Sequence, residues 1–309
     1  MRKAFVRTLV ELAAADPRVL LLTGDLGFMA LEPFIERFPD RFLNMGVAEQ
    51  NMVGVATGLA EAGHVPFVYS IVTFATLRPY EFIRNGPVLH RLPVRIVGIG
   101  GGVDYGPQGT THHGLEDVGV MRVQPGMTVI AAADHAQLAS ALRATRDLPG
   151  PVYFRLGRDD VTTVPGLGGR FVLGRADVVR EGRDVLLVAM GGVAGEAIGA
   201  AERLAAAGVS AGVLIVASVQ PAPVADLVRA LAAVPVALTV EAHYLTGGLG
   251  SLVSEVAAEH GLGCRVVRCG VRETPDGTSG SQRWLHGRHG LSADALAETA
   301  QRALRASAG

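Results

Sequence analysis

Asn44-Met45-Gly46-Val47-Ala48-Glu49-Gln50-Asn51-Met52 is the stretch on which the reading of the fold turns. A strand ends at its start, a glycine permits a sharp turn, and a carboxylate enters the first turn of a helix. That helix continues over 49–62 with Met52, Val55, Ala56 and Leu59 on one face. Strand, turn and helix in this order are the parts of a βαβ unit. Acidic side chains also favour helix N-termini simply by offsetting the positive end of the macrodipole, by about 0.3–1 kcal/mol. On spacing alone, the role of Glu49 therefore stays open.

The same alternation extends in both directions. Before the stretch, 18–23 reads as a strand, and Phe5, Leu9 and Leu12 fall on one face of an opening helix. After it, strands are expected at 65–69, 94–99, 128–131 and 152–156, with an amphipathic helix over 134–146. From 158 the pattern lapses into Asp, Thr, Pro and Gly, which marks a linker. A second series then predicts strands near 185–190, 211–216, 236–241 and 265–268. Helices fit 194–207, 224–232, 249–260 and 293–306. The fold class is α/β, with two tandem domains at 1–160 and 175–309 and a linker at 161–174. Each domain is expected to be a mostly parallel sheet flanked by helices.

Composition narrows the chemistry. The chain has 309 residues, 49% of them hydrophobic and 18% charged, enough apolar surface for two cores. A net charge of −1 gives no general attraction to nucleic acid or to anionic membranes. No apolar run approaches the roughly 20 residues of a membrane span, and the N-terminus lacks the features of a signal peptide, so a soluble cytoplasmic protein is expected. Cys264 and Cys269 are the only cysteines, too few for a disulfide framework or four-cysteine zinc, and they read as two reduced thiols. Lys3 is the only lysine and lies far from any motif, which argues against Schiff-base chemistry and the lysine of a P-loop.

Four further segments could carry chemistry. Gly100 to Gly114 is glycine-rich and ends in His112 and His113, followed by Glu116 and Asp117. Adjacent histidines in an extended segment point to opposite sides, so one presented to a pocket as acid, base or donor is preferred to a metal pair. A mobile surface loop explains the segment equally well. Phe74 and Tyr80, within Ile71–Glu81, could stack on a flat ring or be plain core. The strand Tyr153–Leu156 leads to Arg158, and with Arg155 this could form a fork for phosphate or carboxylate, or a solvated pair. Glu241-Ala242-His243-Tyr244 leads through Gly247 and Gly248 into a helix whose end could take an anion. Tight strand–helix packing is preferred there.

Taken in order, these segments resemble the C-terminal half of transketolase and of its relative deoxyxylulose-phosphate synthase. The resemblance is carried by Asn44–Met52, 65–83, Tyr105–Asp117 and Tyr153–Arg158, then by Thr239–Gly250 and, more loosely, Gly277–Asp294. It covers nearly the whole chain and implies thiamine diphosphate as cofactor. In that family the motif glutamate, here Glu49, hydrogen-bonds a ring nitrogen of the aminopyrimidine and favours the tautomer that activates the thiazolium. The resemblance further implies that Phe74 stacks on that ring and that Asp25, in Thr23-Gly24-Asp25-Leu26, belongs to the pocket wall. His112 would act as donor and proton carrier at the reacting group, and Arg158 would hold a substrate phosphate or acid group.

Full-length relatives also carry an N-terminal domain whose G-D-G…N segment holds magnesium and the diphosphate. No G-D-G occurs here, and the opening helix reads as a true start. The resemblance therefore implies a split enzyme: a separate N-terminal subunit ligates Mg2+, two copies of each subunit form a heterotetramer, and this chain alone is inactive. Gln108 stands where the transketolase loop has an acidic residue that contacts a sugar hydroxyl, and Gly100 stands where the family has a phosphate-binding histidine. Both point away from ordinary pentose phosphates toward a modified ketose donor or acceptor. Two alternatives stay open: the beta subunit of a 2-oxo acid dehydrogenase, and a non-catalytic regulatory subunit of the same fold.

Overall fold

The computed structural model describes residues 1–273 and 276–307. Helix Arg2–Ala15 buries Phe5, Leu9 and Leu12, the stripe anticipated from their spacing, against the first of two sheets. That sheet takes β1 (Val19–Thr23), β2 (Phe42–Asn44), β3 (Val65–Ile71), β4 (Arg95–Ile99), β5 (Thr128–Ala131) and β6 (Val152–Leu156) from the first half of the chain. The second sheet takes β7 (Asp177–Arg180), β8 (Val185–Met190) and β9 (Ala211–Ile215). After β10 (Ser218–Gln220), it also takes β11 (Val236–Tyr244) and β12 (Arg265–Val271). Every residue of β1, β4, β6, β8 and β9 is buried, because helices cover both sheet faces. β1, β8 and β9 therefore read as near-continuous apolar runs, whereas β4 and β6 each carry a buried arginine, Arg95 and Arg155.

Spatial order in the first sheet is β10-β5-β6-β4-β3-β1-β2, parallel except for β10. From β1 the chain moves to β2 on one side. It then returns through helix Glu49–Glu61 to β3 on the other side, so the order reverses between β1 and β3. Such a switch point opens a crevice beyond the carboxyl ends of the strands, the usual ligand position in open α/β sheets. The second sheet, β12-β11-β8-β9-β7, reverses in the same way between β8 and β11.

Both sheets are mostly parallel with helices on their faces, the architecture expected from the alternation. Two short strands were not anticipated. β7 pairs antiparallel with β9, and β10, although it follows β9 in sequence, pairs antiparallel with β5 in the first sheet. Segment 161–174 has no regular secondary structure, yet it is no loose tether. Val164 and Leu167 are buried, and Val164 N donates to Asp134 Oδ2 at 2.9 Å. Asp134 also caps helix His135–Ala144 by accepting from Gln137 N. One apolar cluster runs from Val53 and Ala56 through Met121 and Val129 to Val219, Leu227 and Val253, joining the two halves.

Candidate active site

Thr23, the last residue of β1, is in register with Asn44, the last of β2. Asn44 ties the two loop starts together: its Nδ2 donates to Asp25 Oδ1 at 2.9 Å, and its Oδ1 accepts from the amides of Asp25 (3.1 Å) and Gly46 (3.0 Å). Gly46 has φ +67°, the left-handed region glycine enters without strain. The chain turns there into helix Glu49–Glu61. Glu49 is only 2% exposed, at the switch point beside β3.

A carboxylate this buried needs partners. Ser70 Oγ, from β3, donates to Glu49 Oε1 at 3.3 Å. The Arg78 guanidinium reaches both oxygens from one nitrogen, at 3.0 and 2.9 Å, and its Cζ lies 3.8 Å from the centre of the Phe74 ring. His112 meets Phe74 edge-on, with ring centres 5.2 Å apart. Thr111 Oγ1 lies 3.0 Å from His112 Nδ1, which leaves Nε2 as the atom able to face a bound molecule. Thr73 Oγ1 donates to Thr111 O and holds the Phe74 turn to the glycine loop.

Behind His112 the Tyr105 ring forms a second wall, 6.1 Å away centre to centre. Arg158 Cζ stacks 4.5 Å over that ring, and Arg158 is anchored by Asp104 through its amide (2.8 Å) and its Nη1 (3.2 Å). Burial pushes the Tyr105 phenol up, opposed by the Arg158 charge, and also pushes the Asp104 carboxyl up. Gly100, at φ +84°, lies under the Tyr105 ring; a Cβ there would fall 2.1 Å from a ring carbon.

The structure thus brings Glu49, Phe74 and His112 together, with Arg158 one ring further along. Asp25 flanks the Glu49 turn through Asn44. Gln108 sits exposed at the end of the short turn Gly106–Gln108, on the outer side of the loop. The paired histidines diverge, as their adjacency predicts: His113 is buried and lines a separate cleft of about 410 Å³ with Arg272, Arg288 and His289. Tyr80 is half-buried, and its hydroxyl donates to Val120 O at 3.1 Å. Arg155 and Arg158 do not form a fork. Arg155 points into the interior and pairs with Asp117 at 2.8 Å, because the two side chains leave the strand end in different directions.

Two site residues were missed from sequence. Arg78, partly exposed near a helix end, carries no signal that separates it from a solvated side chain. Ser70 is an unremarkable polar residue inside an apolar run. At the second domain, the anion at the start of helix Leu249–Glu259 is the chain's own Glu241, which accepts from the amides of Leu249 (2.7 Å) and Gly250 (2.8 Å).

A doubly split α/β fold with a buried carboxylate at the first switch point defines the class. Residues 1–163 match the family described as "Transketolase, pyrimidine binding domain", and residues 174–296 match "Transketolase, C-terminal domain". The chain belongs to the transketolase family, to the part of it formed by those two domains. It is 35% identical over 301 residues to a putative transketolase C-terminal section from Methanocaldococcus jannaschii, covering 96% of this chain and 94% of that one. It is 36% identical over 303 residues to the 6-deoxy-6-sulfo-D-fructose transketolase subunit SqwH of a Clostridium species, covering 97% and 93%. A solved split-gene transketolase, described as an inactive beta4 tetramer, superposes with a TM-score of 0.87 at 37% identity, over 98% of this chain and 97% of that one.

Proposed function

We infer that the chain is the C-terminal subunit of a two-component transketolase, a transferase that moves a two-carbon ketol unit with thiamine diphosphate. The observation that carries this reading is the Glu49 carboxylate, buried at the switch point and joined through Arg78 to the Phe74 ring, with His112 at that ring's edge. That set suits an aminopyrimidine: a carboxylate for a ring nitrogen and an aromatic face for the flat ring. When bound, the cofactor supplies the carbon nucleophile, while the protein sets its position and protonation. Glu49 holds the proton shared with the ring nitrogen, and Phe74 fixes the plane of the ring. His112, through Nε2, donates to the reacting oxygen of the substrate and returns the proton. Arg158, stiffened by Tyr105, binds an anionic end; Gln108 lies at the rim, where a substrate hydroxyl would pass, and Asp25 closes the wall near Glu49.

Among the described residues, no group of three or more His, Cys, Asp or Glu could hold a metal ion. In this reading Mg2+ and the diphosphate belong to a separate N-terminal subunit carrying G-D-G…N, within a heterotetramer of two copies each. The working division is 1–160 and 175–309 around the linker 161–174, and the enzyme works in the cytoplasm. Among the described residues no helix is long and apolar enough to cross a membrane. The relatives matched over most of their own length are described as transketolase sections or subunits, so neither the dehydrogenase nor the regulatory alternative is favoured. A relative named for a sulfo sugar supports a non-standard anionic ketose here too, in keeping with Gln108 and Gly100.

Calorimetry tests the reading. Thiamine diphosphate with Mg2+ should bind tightly only when this chain is mixed with its partner. Glu49→Gln should keep the fold and lower turnover by about 10²–10⁴-fold, the range for removing a proton-transfer group. Absence of cofactor binding in a mixture that demonstrably forms a complex would overturn the reading.

A further inference from the structure

We propose that Arg78 is a built-in stand-in for the cofactor's pyrimidine ring, filling the place between Glu49 and Phe74 and leaving it when the ring binds. This inference rests on the cofactor reading above and deepens it. Three observations support it together. The guanidinium donates to both Glu49 oxygens, at 3.0 and 2.9 Å. Its Cζ lies 3.8 Å from the Phe74 ring centre, a stacking contact. The exposures are also unequal: the Glu49 side chain is 2% exposed and that of Arg78 is 43%.

A guanidinium and an aminopyrimidine share the relevant chemistry. Each is flat, each presents N–H donors in its plane, and each has a face that stacks on an aromatic ring. A group that takes the carboxylate with its edge and Phe74 with its face leaves no layer for a second one. The two occupants therefore exclude each other.

The asymmetry of burial explains why Arg78 can serve in this way. Glu49 is only 2% exposed, so without a partner it would be a buried unpaired charge, which is strongly unfavourable. Arg78 sits at the surface end of the contact and can swing into solvent, where its charge is well hydrated. The pair thus keeps the catalytic carboxylate satisfied and in position while the site is without its ring. The ring then displaces a group of matching shape instead of entering a collapsed pocket. The consequence is a competition: the apparent affinity for the ring is the intrinsic affinity multiplied by the fraction of molecules in which Arg78 has already left.

The test uses the full chain and the aminopyrimidine fragment of the cofactor, 4-amino-5-hydroxymethyl-2-methylpyrimidine, titrated by NMR. Arg78→Met and Arg78→Gln should each bind the fragment about tenfold or more tightly than the wild type, because the competitor is gone. Without the fragment both variants should unfold at lower temperature than the wild type, and the gap should narrow as the fragment saturates them. Glu49→Gln should abolish binding in every background. Folded variants that bind the fragment no more tightly than the wild type would overturn the proposal while leaving the cofactor reading intact. Binding by none of the folded proteins would overturn the proposal and leave the cofactor reading to the test with the partner subunit; binding indifferent to Glu49→Gln would overturn both.

Discussion

Glu49, in the first turn of a helix, and Glu241, on β11 against the start of another, are both buried carboxylates, and their partners differ. Glu49 has an arginine; Glu241 has two backbone amides of helix Leu249–Glu259. Burial outweighs those two hydrogen bonds and pushes the Glu241 carboxyl up to about 7 from its ordinary 4.5. The folded state then holds this proton more tightly than the unfolded chain, so its contribution is full below about pH 4.5 and is lost as pH rises toward 7. Urea unfolding should show stability falling across that window by up to about 3 kcal/mol. Glu241→Gln, which stays neutral, should flatten the slope; a slope unchanged in the variant would show that other groups set it. At this scale the sequence is partly legible. The position of Glu49 at a helix start follows from Asn44-Met45-Gly46. Its partner Arg78 lies 29 positions away, and only folding brings the two into contact.

Element by element, the glycine loop between β4 and the short turn Thr110–His112 decides how the pocket is walled. Gly100 is required twice over: its φ of +84° is strained for any other residue, and a side chain would strike the Tyr105 ring. Gly100→Ala should therefore destabilise the fold by about 1–3 kcal/mol. By moving Tyr105 off Arg158, it should raise KM for an anionic substrate more than it lowers kcat. Chemical unfolding and initial-rate kinetics check the two halves separately. Long apolar runs and amphipathic helices were readable because both sheet faces are covered and the periods 2.0 and 3.6 differ clearly. β10, with three residues, has too little length to show a period. The half-exposed β7 carries the pattern of an edge, which a loop shares.

For the molecule as a whole, the two switch points have different fates. The first holds Glu49, covered by the half-exposed Arg78. The second, between β8 and β11, is filled by Arg155 from β6, whose Nη2 donates to Ala242 O and Gly114 O, both at 2.9 Å. Only about 10 Å³ of cavity remains among Arg155, Gly191, Ala242 and His286. Asp117 closes the arrangement by accepting from Arg155 Nε (2.8 Å) and Tyr153 OH (2.7 Å), and Gly119 N donates to His243 Nε2 at 3.3 Å. These contacts fix one half of the chain on the other and support the loop that carries His112. Arg155→Met leaves Asp117 buried without its charge partner and should cost about 3–5 kcal/mol. In the double variant with Asp117→Asn the two costs should fall well short of additive. Additive costs in urea unfolding would show that the pair is not a coupled unit.

The sequence by itself determined the α/β class, the alternation of strands and helices, the burial of Phe5, Leu9 and Leu12, and the candidate status of Glu49, Phe74, His112 and Arg158. The class, the alternation and the helix face depend on local spacing, where period and turn chemistry are visible within a dozen positions; spacing left the four side chains open, and their roles were implied by the resemblance to a known family. Only the tertiary structure decided that Glu49 lies at a switch point, that Arg78 takes its carboxylate, that Arg155 is an internal tie and not an anion hook, and that β10 crosses to the first sheet. Those outcomes depend on which strands become neighbours and on how deeply each charge is buried. Partners in such contacts are chosen by three-dimensional proximity, and no local period records that choice.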